Sequence, residues 1–265
     1  MKRTTGRLRR PDCEIYYEVM GEGPPIIFAH GLGGNHLSWW QQVPHFAARH
    51  TCVAFAHRGF PPSSAVGGDR APDAYADDLG ALIDHLRLDK VALVAQSMGG
   101  WTCLEYALRE PAKVRALVMA STSGTLDYAQ LGNADVAEWE RRAPTELAKL
   151  DKLGIHPAAG ERMAREQAAL AHLYSQISDM SQPAFREDVR KRLMQLRTRS
   201  PSLLGELSMP VLFITGDEDW VFPSAAGPAF AKLAPKGRAV RIPAAGHSVY
   251  FERAARFNEL VGSIL

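Results

Sequence analysis

The feature that most constrains this chain is a regular alternation of short apolar runs with longer amphipathic stretches. Ile26-Ile27-Phe28-Ala29, Cys52-Val53-Ala54-Phe55 and Val91-Ala92-Leu93-Val94-Ala95 are continuous apolar runs. Val114 to Met119, Val211 to Ile214 and Ala239 to Ile242 repeat the pattern. A strand covered on both faces takes apolar residues at nearly every position rather than every second one. Between the runs, Leu79, Leu82, Ile83 and Leu86 follow i, i+3, i+4, i+7 spacing, which gathers them on one helical face. Phe257, Leu260, Val261 and Ile264 do the same near the C-terminus. Alternation of this kind predicts a mostly parallel sheet with helices on both faces. The alternating segment Cys13 to Met20 predicts an antiparallel strand ahead of the parallel set.

Residues 125–206 break this rhythm. No strong strand candidate occurs there. Leu170, Leu173, Tyr174 and Ile177 mark one amphipathic helix, and Phe185, Val189, Leu193 and Leu196 another. Acidic and basic residues balance across the segment. A helical insertion between two strands covers one end of the sheet, and strand ends are where open α/β sheets bind ligands. The chain therefore divides into an α/β core, residues 1–124 and 207–265, and a helical cap over 125–206. A packing extension with no role at a site is the alternative.

The chain has 265 residues, of which 46% are hydrophobic and 23% charged, enough for one large α/β domain with a sizeable core. That composition argues against disorder and collagen-like structure. Lys plus Arg is 31 against 29 for Asp plus Glu, so no basic excess points to nucleic acid. The opening Met1 to Arg10 is basic but lacks the long run of a binding arm. No stretch approaches the roughly 20 apolar residues of a membrane helix, and no secretory signal is visible. Cys13, Cys52 and Cys103 are odd in number and far apart, which indicates neither a disulfide framework nor a CxxC metal site. The expectation is a reduced, cytoplasmic protein without nucleic-acid or membrane partners.

Four loops, each following a predicted strand, carry the chemistry. Val94-Ala95-Gln96-Ser97-Met98-Gly99-Gly100 runs from a strand into a helix, the context of a nucleophile elbow. A tight strand-to-helix turn pushes the Ser97 hydroxyl out above a helix N-terminus, where amides favour developing negative charge. An N-cap serine flanked by packing glycines is the alternative. His30-Gly31-Leu32-Gly33-Gly34 can turn backbone N–H groups toward a ligand. The amides of Leu32 and Met98 are the candidate oxyanion donors, and His30, Gly31 and Gly33 are candidate substrate contacts. Neither GxGxxG nor a P-loop is present, so nucleotide binding is poorly supported. Gly216-Asp217-Glu218-Asp219 and Gly246-His247 follow the last two strands. A serine hydroxyl needs a base of matched pKa, and an imidazole base needs an acceptor that fixes its tautomer. The order Ser, Asp, His suits that arrangement. The other eight histidines receive no catalytic role.

With these residues in place, the sequence resembles the α/β-hydrolase superfamily. The resemblance runs from about Ile15 to the C-terminus. It rests on HGLGG at 30–34, HRGFPPS at 57–63, AQSMGG at 95–100, GDEDWVFP at 216–223 and GHSVYFE at 246–252. It implies an eight-stranded-type sheet with a helical cap insertion. In the family the acid commonly lies three positions after the glycine of the fourth motif, with a proline four further on. Asp219 and Pro223 match that spacing, which favours Asp219 over Asp217 as the acid. Ala95 stands where the elbow motif has its first glycine, Gln96 where histidine is common, and Ala56 where many members have aspartate. The serine argues against relatives that resemble haloalkane dehalogenases or epoxide hydrolases, which use aspartate at this position.

The resemblance implies acyl transfer by Ser97, His247 and Asp219 on a small, largely apolar ester or lactone, with no metal or organic cofactor. Trp39, Trp40, Leu126, Tyr128, Trp139, Leu170 and Tyr174 are candidate pocket residues, each equally suited to core or cap packing. Cleavage of a C–C bond in ring-cleavage products is an alternative. So are a small-molecule receptor and cofactor-free perhydrolase or lyase chemistry on the same scaffold. Homodimer formation is left open.

Overall fold

A computed structural model of the chain describes residues 2–64 and 72–265. Among the described residues one sheet carries eight strands: β1 (Arg3–Arg9), β2 (Glu14–Met20), β3 (Pro25–Ala29), β4 (Thr51–Phe55), β5 (Val91–Gln96), β6 (Val114–Ala120), β7 (Val211–Gly216) and β8 (Gly237–Ile242). Their order in space is β1-β2-β4-β3-β5-β6-β7-β8. The β1–β2 and β2–β4 pairs are antiparallel, and the remaining pairs are parallel.

The helices are α1 (Gln42–Phe46), α2 (Tyr75–His85), α3 (Gly99–Arg109), α4 (Ala134–Lys152), α5 (Gly160–Glu166), α6 (Ala168–Asp179), α7 (Pro183–Leu196), α8 (Ala226–Ala231), α9 (Val249–Glu252) and α10 (Ala254–Gly262). Strand side chains alternate between two helical layers, as the two-residue period of a strand requires. Ile27, Leu93, Leu117 and Phe213 pack with Leu79, Leu82 and Ile83 of α2 and Leu104 of α3. Phe28, Val94, Val118 and Leu212 face the opposite layer, where Phe46 of α1 and Phe257 and Leu260 of α10 close over them. Central β5 is buried at all six positions, which explains why its sequence shows no polar alternation. The six apolar runs and the Cys13–Met20 segment all correspond to strands. Leu86 caps the end of α2, and Ile264 lies just beyond α10.

The basic opening is β1, a strand that no apolar run announced. It is an edge strand that pairs with β2 from Arg3 opposite Met20 to Arg9 opposite Glu14. Its arginines meet the acids of β2: Arg3 lies 3.3 Å from Glu18, and Arg9 lies 3.4 Å from Glu14. An edge exposed to water needs charge rather than apolar residues.

Residues 125–206 hold α4 to α7 between β6 and β7. The two ends of this excursion meet. The Asp127 amide donates to the Arg199 carbonyl (2.9 Å), and the Arg199 amide donates to the Thr125 carbonyl (3.0 Å). Glu105 of α3 ties both ends to the core, accepting from Thr125 Oγ1 at 2.6 Å and from Arg199 Nη2 at 2.8 Å. The three cysteines are buried as free thiols. Among the described residues, no helix is long and apolar enough to cross a membrane.

Candidate active site

β5 ends at Gln96, and the Ser97 amide extends the ladder by donating to the Ala120 carbonyl of β6 (3.0 Å). The chain then reverses into α3 through a Ser97 backbone at φ +48°. That left-handed conformation is costly for a residue with a side chain, and neighbouring structure must hold it. Gly99 makes the reversal sterically feasible, because a Cβ there would stand 2.2 Å from the Ala29 carbonyl oxygen. Ala95, which replaces the first elbow glycine, is an ordinary strand residue opposite Ala29 and Met119, where a methyl group packs without conflict.

His247 follows β8 and Asp219 follows β7, and both are buried. The His247 Nδ1–H reaches the Asp219 carboxylate, 2.9 Å from Oδ2 and 3.1 Å from Oδ1. Oδ1 also accepts the amides of Val221 (2.8 Å) and Phe222 (2.9 Å). This acceptor fixes the proton of a neutral imidazole on Nδ1 and leaves Nε2 able to accept one. The exposed Asp217 takes no part; Asp219 is the acid that reaches the imidazole.

The loop after β3 is held from beneath by a chain of neutral imidazoles. His30 Nδ1–H donates to the Gly31 carbonyl (2.8 Å), so its Nε2 accepts from the His57 amide and from His57 Nδ1–H, each at 2.9 Å. His57 Nε2 then accepts from the Thr102 hydroxyl (2.8 Å). Burial holds His30 in the neutral form by lowering its pKa to about 3, and burial beside His30 pushes His57 well below its ordinary value.

Leu32, Ser97, Met98 and His247 line one cavity of about 320 Å³, together with Tyr128, Trp139 and Tyr174. A hydroxyl, an imidazole with a free Nε2 and a buried carboxylate are the parts needed to take a proton from an alcohol at neutral pH. A separate cavity of about 370 Å³ contains neither Ser97 nor His247; ion pairs such as Arg162 with Glu218 fill its wall.

Residues 24–254 match the family described as alpha/beta hydrolase fold. The chain belongs to the α/β-hydrolase fold family. A 3-oxoadipate enol-lactonase 2 of Acinetobacter baylyi is 24% identical over 269 residues, covering 97% of this chain and 95% of that protein. A solved structure described as Est816, an N-acyl homoserine lactone degrading enzyme, superposes with a TM-score of 0.81 at 23% identity, covering 98% of this chain and all of its own. A thermophilic esterase from Thermogutta terrifontis superposes with a TM-score of 0.75 at 24% identity, covering 99% and 97%. The two superpositions are likenesses of fold.

Other expected pocket residues of this α/β-hydrolase lie elsewhere. Trp39 is fully buried against Phe28 and Tyr250, because the layer under α10 needs its bulk. Trp40 is exposed, with its ring edge against Phe251. Leu126 belongs to the core layer of α2 and α3, and Leu170 packs on the opposite layer. His30 braces the loop instead of lining the cavity. A side chain at Gly31 would collide with Gln96, and one at Gly33 would press on Ser178; both glycines serve close packing.

Several lining residues escaped the sequence reading. Trp101 stands in the first turn of α3, and Ser121 follows β6. His156 lies between α4 and α5, and burial lowers its pKa to about 4. Beside the apolar stripe of α7, Arg190, Leu193 and Met194, with Arg197 at the helix C-cap, also follow i, i+3, i+4, i+7 spacing and line the cavity. That second stripe was visible as periodicity but not as apolarity.

Proposed function

We propose that the chain is a serine hydrolase that cleaves small esters or lactones through an acyl-enzyme. The carrying observation is the pairing of Ser97 at φ +48° with an Asp219-held His247 on one cavity. Ser97 Oγ attacks the carbonyl carbon while His247 Nε2 takes its proton. The amides of Leu32 and Met98 stabilise the oxyanion. The imidazolium, steadied by the Asp219 charge, protonates the leaving alcohol as the tetrahedral adduct collapses. A water molecule, activated by the same imidazole, then returns the serine and releases the acid. Two backbone amides and the imidazole all donate to the Asp219 carboxylate, which keeps it in place throughout.

The cavity walls support this substrate class. Leu32, Met98, Trp101, Leu193 and Phe222 offer apolar surface suited to an acyl chain. Relatives named as an enol-lactonase, a lactone-degrading enzyme and an esterase support ester and lactone chemistry. Residues 125–206 act as the cap, since α4 and α7 supply Trp139 and Leu193 to the cavity.

The test is release of chromophore from a short-chain aryl ester over many turnovers, by wild type and Ser97→Ala. Steady release that the substitution abolishes supports the proposal. No release from wild type, or equal release from the variant, overturns it.

A further inference from the structure

Among the described residues the cavity wall carries charge of one sign: no Asp or Glu lines it, whereas Arg190 and Arg197 do. Arg190 is neutralised locally, with Nε and Nη2 each 2.9 Å from the Glu187 carboxylate. Arg197 has no acid within ion-pair distance among the described residues. Its guanidinium instead lies 5.3 Å from the Trp101 ring centroid and 4.7 Å from that of Tyr128. Two aromatic rings thus hold it against the cavity wall. Its Nε is buried without a hydrogen-bond partner.

Two further buried groups of the same cavity are also unpartnered, Ser121 Oγ and Gln96 Nε2. A wall with an unpaired cation and, among the described residues, no acid suits a ligand that brings a negative charge. A planar guanidinium presents paired N–H groups that match a carboxylate. One uncompensated cation balances one negative charge.

We infer that Arg197 is a specificity residue that binds a carboxylate on the acyl portion of the substrate. This rests on the serine-hydrolase proposal above and narrows it. The favoured substrates are half-esters of short dicarboxylic acids, or lactones bearing a carboxylate. Trp101, on which Arg197 stacks, lines the same cavity as Ser97, so the subsite and the reacting hydroxyl share one pocket.

The experiment compares monoethyl glutarate with ethyl 5-methylhexanoate, in which an isopropyl group replaces the carboxylate. Ethanol release is measured for wild type, Arg197→Gln and Arg197→Lys. Wild type is expected to favour the half-ester by at least tenfold in kcat/KM. Arg197→Gln is expected to lower that ratio at least tenfold, mainly through KM, with Arg197→Lys intermediate. Absence of a wild-type preference overturns the inference. So does an equal loss on both esters, which would make Arg197 a brace for Trp101 and Tyr128 only. Calorimetric titration of Ser97→Ala with glutarate separates this inference from the acyl-transfer proposal. Saturable binding that Arg197→Gln weakens at least tenfold supports the subsite even if no ester is turned over. Absence of binding overturns it even if aryl esters are cleaved.

Discussion

Ser97 is held in a conformation that only its surroundings make tolerable, and those surroundings are specific atoms. The Ala29 carbonyl lies where a Gly99 side chain would go. Gly99→Ala should therefore destabilise the fold by about 1–3 kcal/mol through overpacking. A denaturant titration checks this, and an unchanged midpoint would show that the elbow can shift to make room. Asp219→Asn tests a different property. The amide can still meet His247, but it stabilises an imidazolium poorly and permits the wrong tautomer. With an aryl ester, kcat should fall by about 10³–10⁴-fold while the unfolding midpoint moves little. A loss under tenfold would place the acid elsewhere. Gly99 was legible because a tight strand-to-helix turn restricts which residue types it accepts, and Asp219 because its spacing to Gly216 and Pro223 matches the resemblance. Arg197 was not, since nothing local distinguishes an arginine on a solvated helix face from one turned into a cavity.

At the scale of elements, legibility followed burial. Five of the six strands with apolar runs were readable because helices cover both of their faces, as with β5, whereas β8 at the sheet edge is only partly buried. β1 was hidden because an edge strand takes its pattern from cross-strand charge, seen in Arg3 beside Glu18. The interior of 125–206 was readable as helices but not as a surface, because apolar periodicity reports the packed face and not the face turned to a ligand. Trp139 shows the difference. It was chosen for its ring, yet its indole Nε1–H also donates to the Asp219 carbonyl at 2.8 Å, joining α4 to the loop that holds the acid. Trp139→Phe keeps a ring against the cavity and removes that donor. Stability should drop by about 1 kcal/mol, and kcat/KM should fall as α4 loses its anchor. An unchanged denaturation midpoint together with unchanged kinetics would show that the bond does not join α4 to the loop.

For the whole molecule, buried titratable groups set the pH at which the fold is firmest. Burial holds His30 near a pKa of about 3 and His156 near about 4, and pushes His57 well below 6.5. The unfolded chain takes up protons at these residues below about pH 6.5, which the folded chain refuses. Their stabilisation is full above that pH and is lost as acid is added, by about 1.4 kcal/mol per pH unit for each refused proton. Glu252 works in the opposite sense. Burial raises its pKa to about 7 against an ordinary 4.5, although the Gly246 amide donates to its Oε1. The folded chain keeps a proton there that the unfolded chain releases, so this contribution is full below 4.5 and disappears as pH rises through 7. Stability should then peak between about pH 6 and 7. Glu252→Gln removes only the alkaline penalty, because the amide oxygen can still accept from Gly246. Relative to wild type, the variant should gain up to about 3 kcal/mol at pH 8 and little at pH 4.5. Urea denaturation at pH 4.5, 6.5 and 8 reads the difference directly. A gain of the same size at all three pH values would mean that the benefit comes from packing and not from the buried charge.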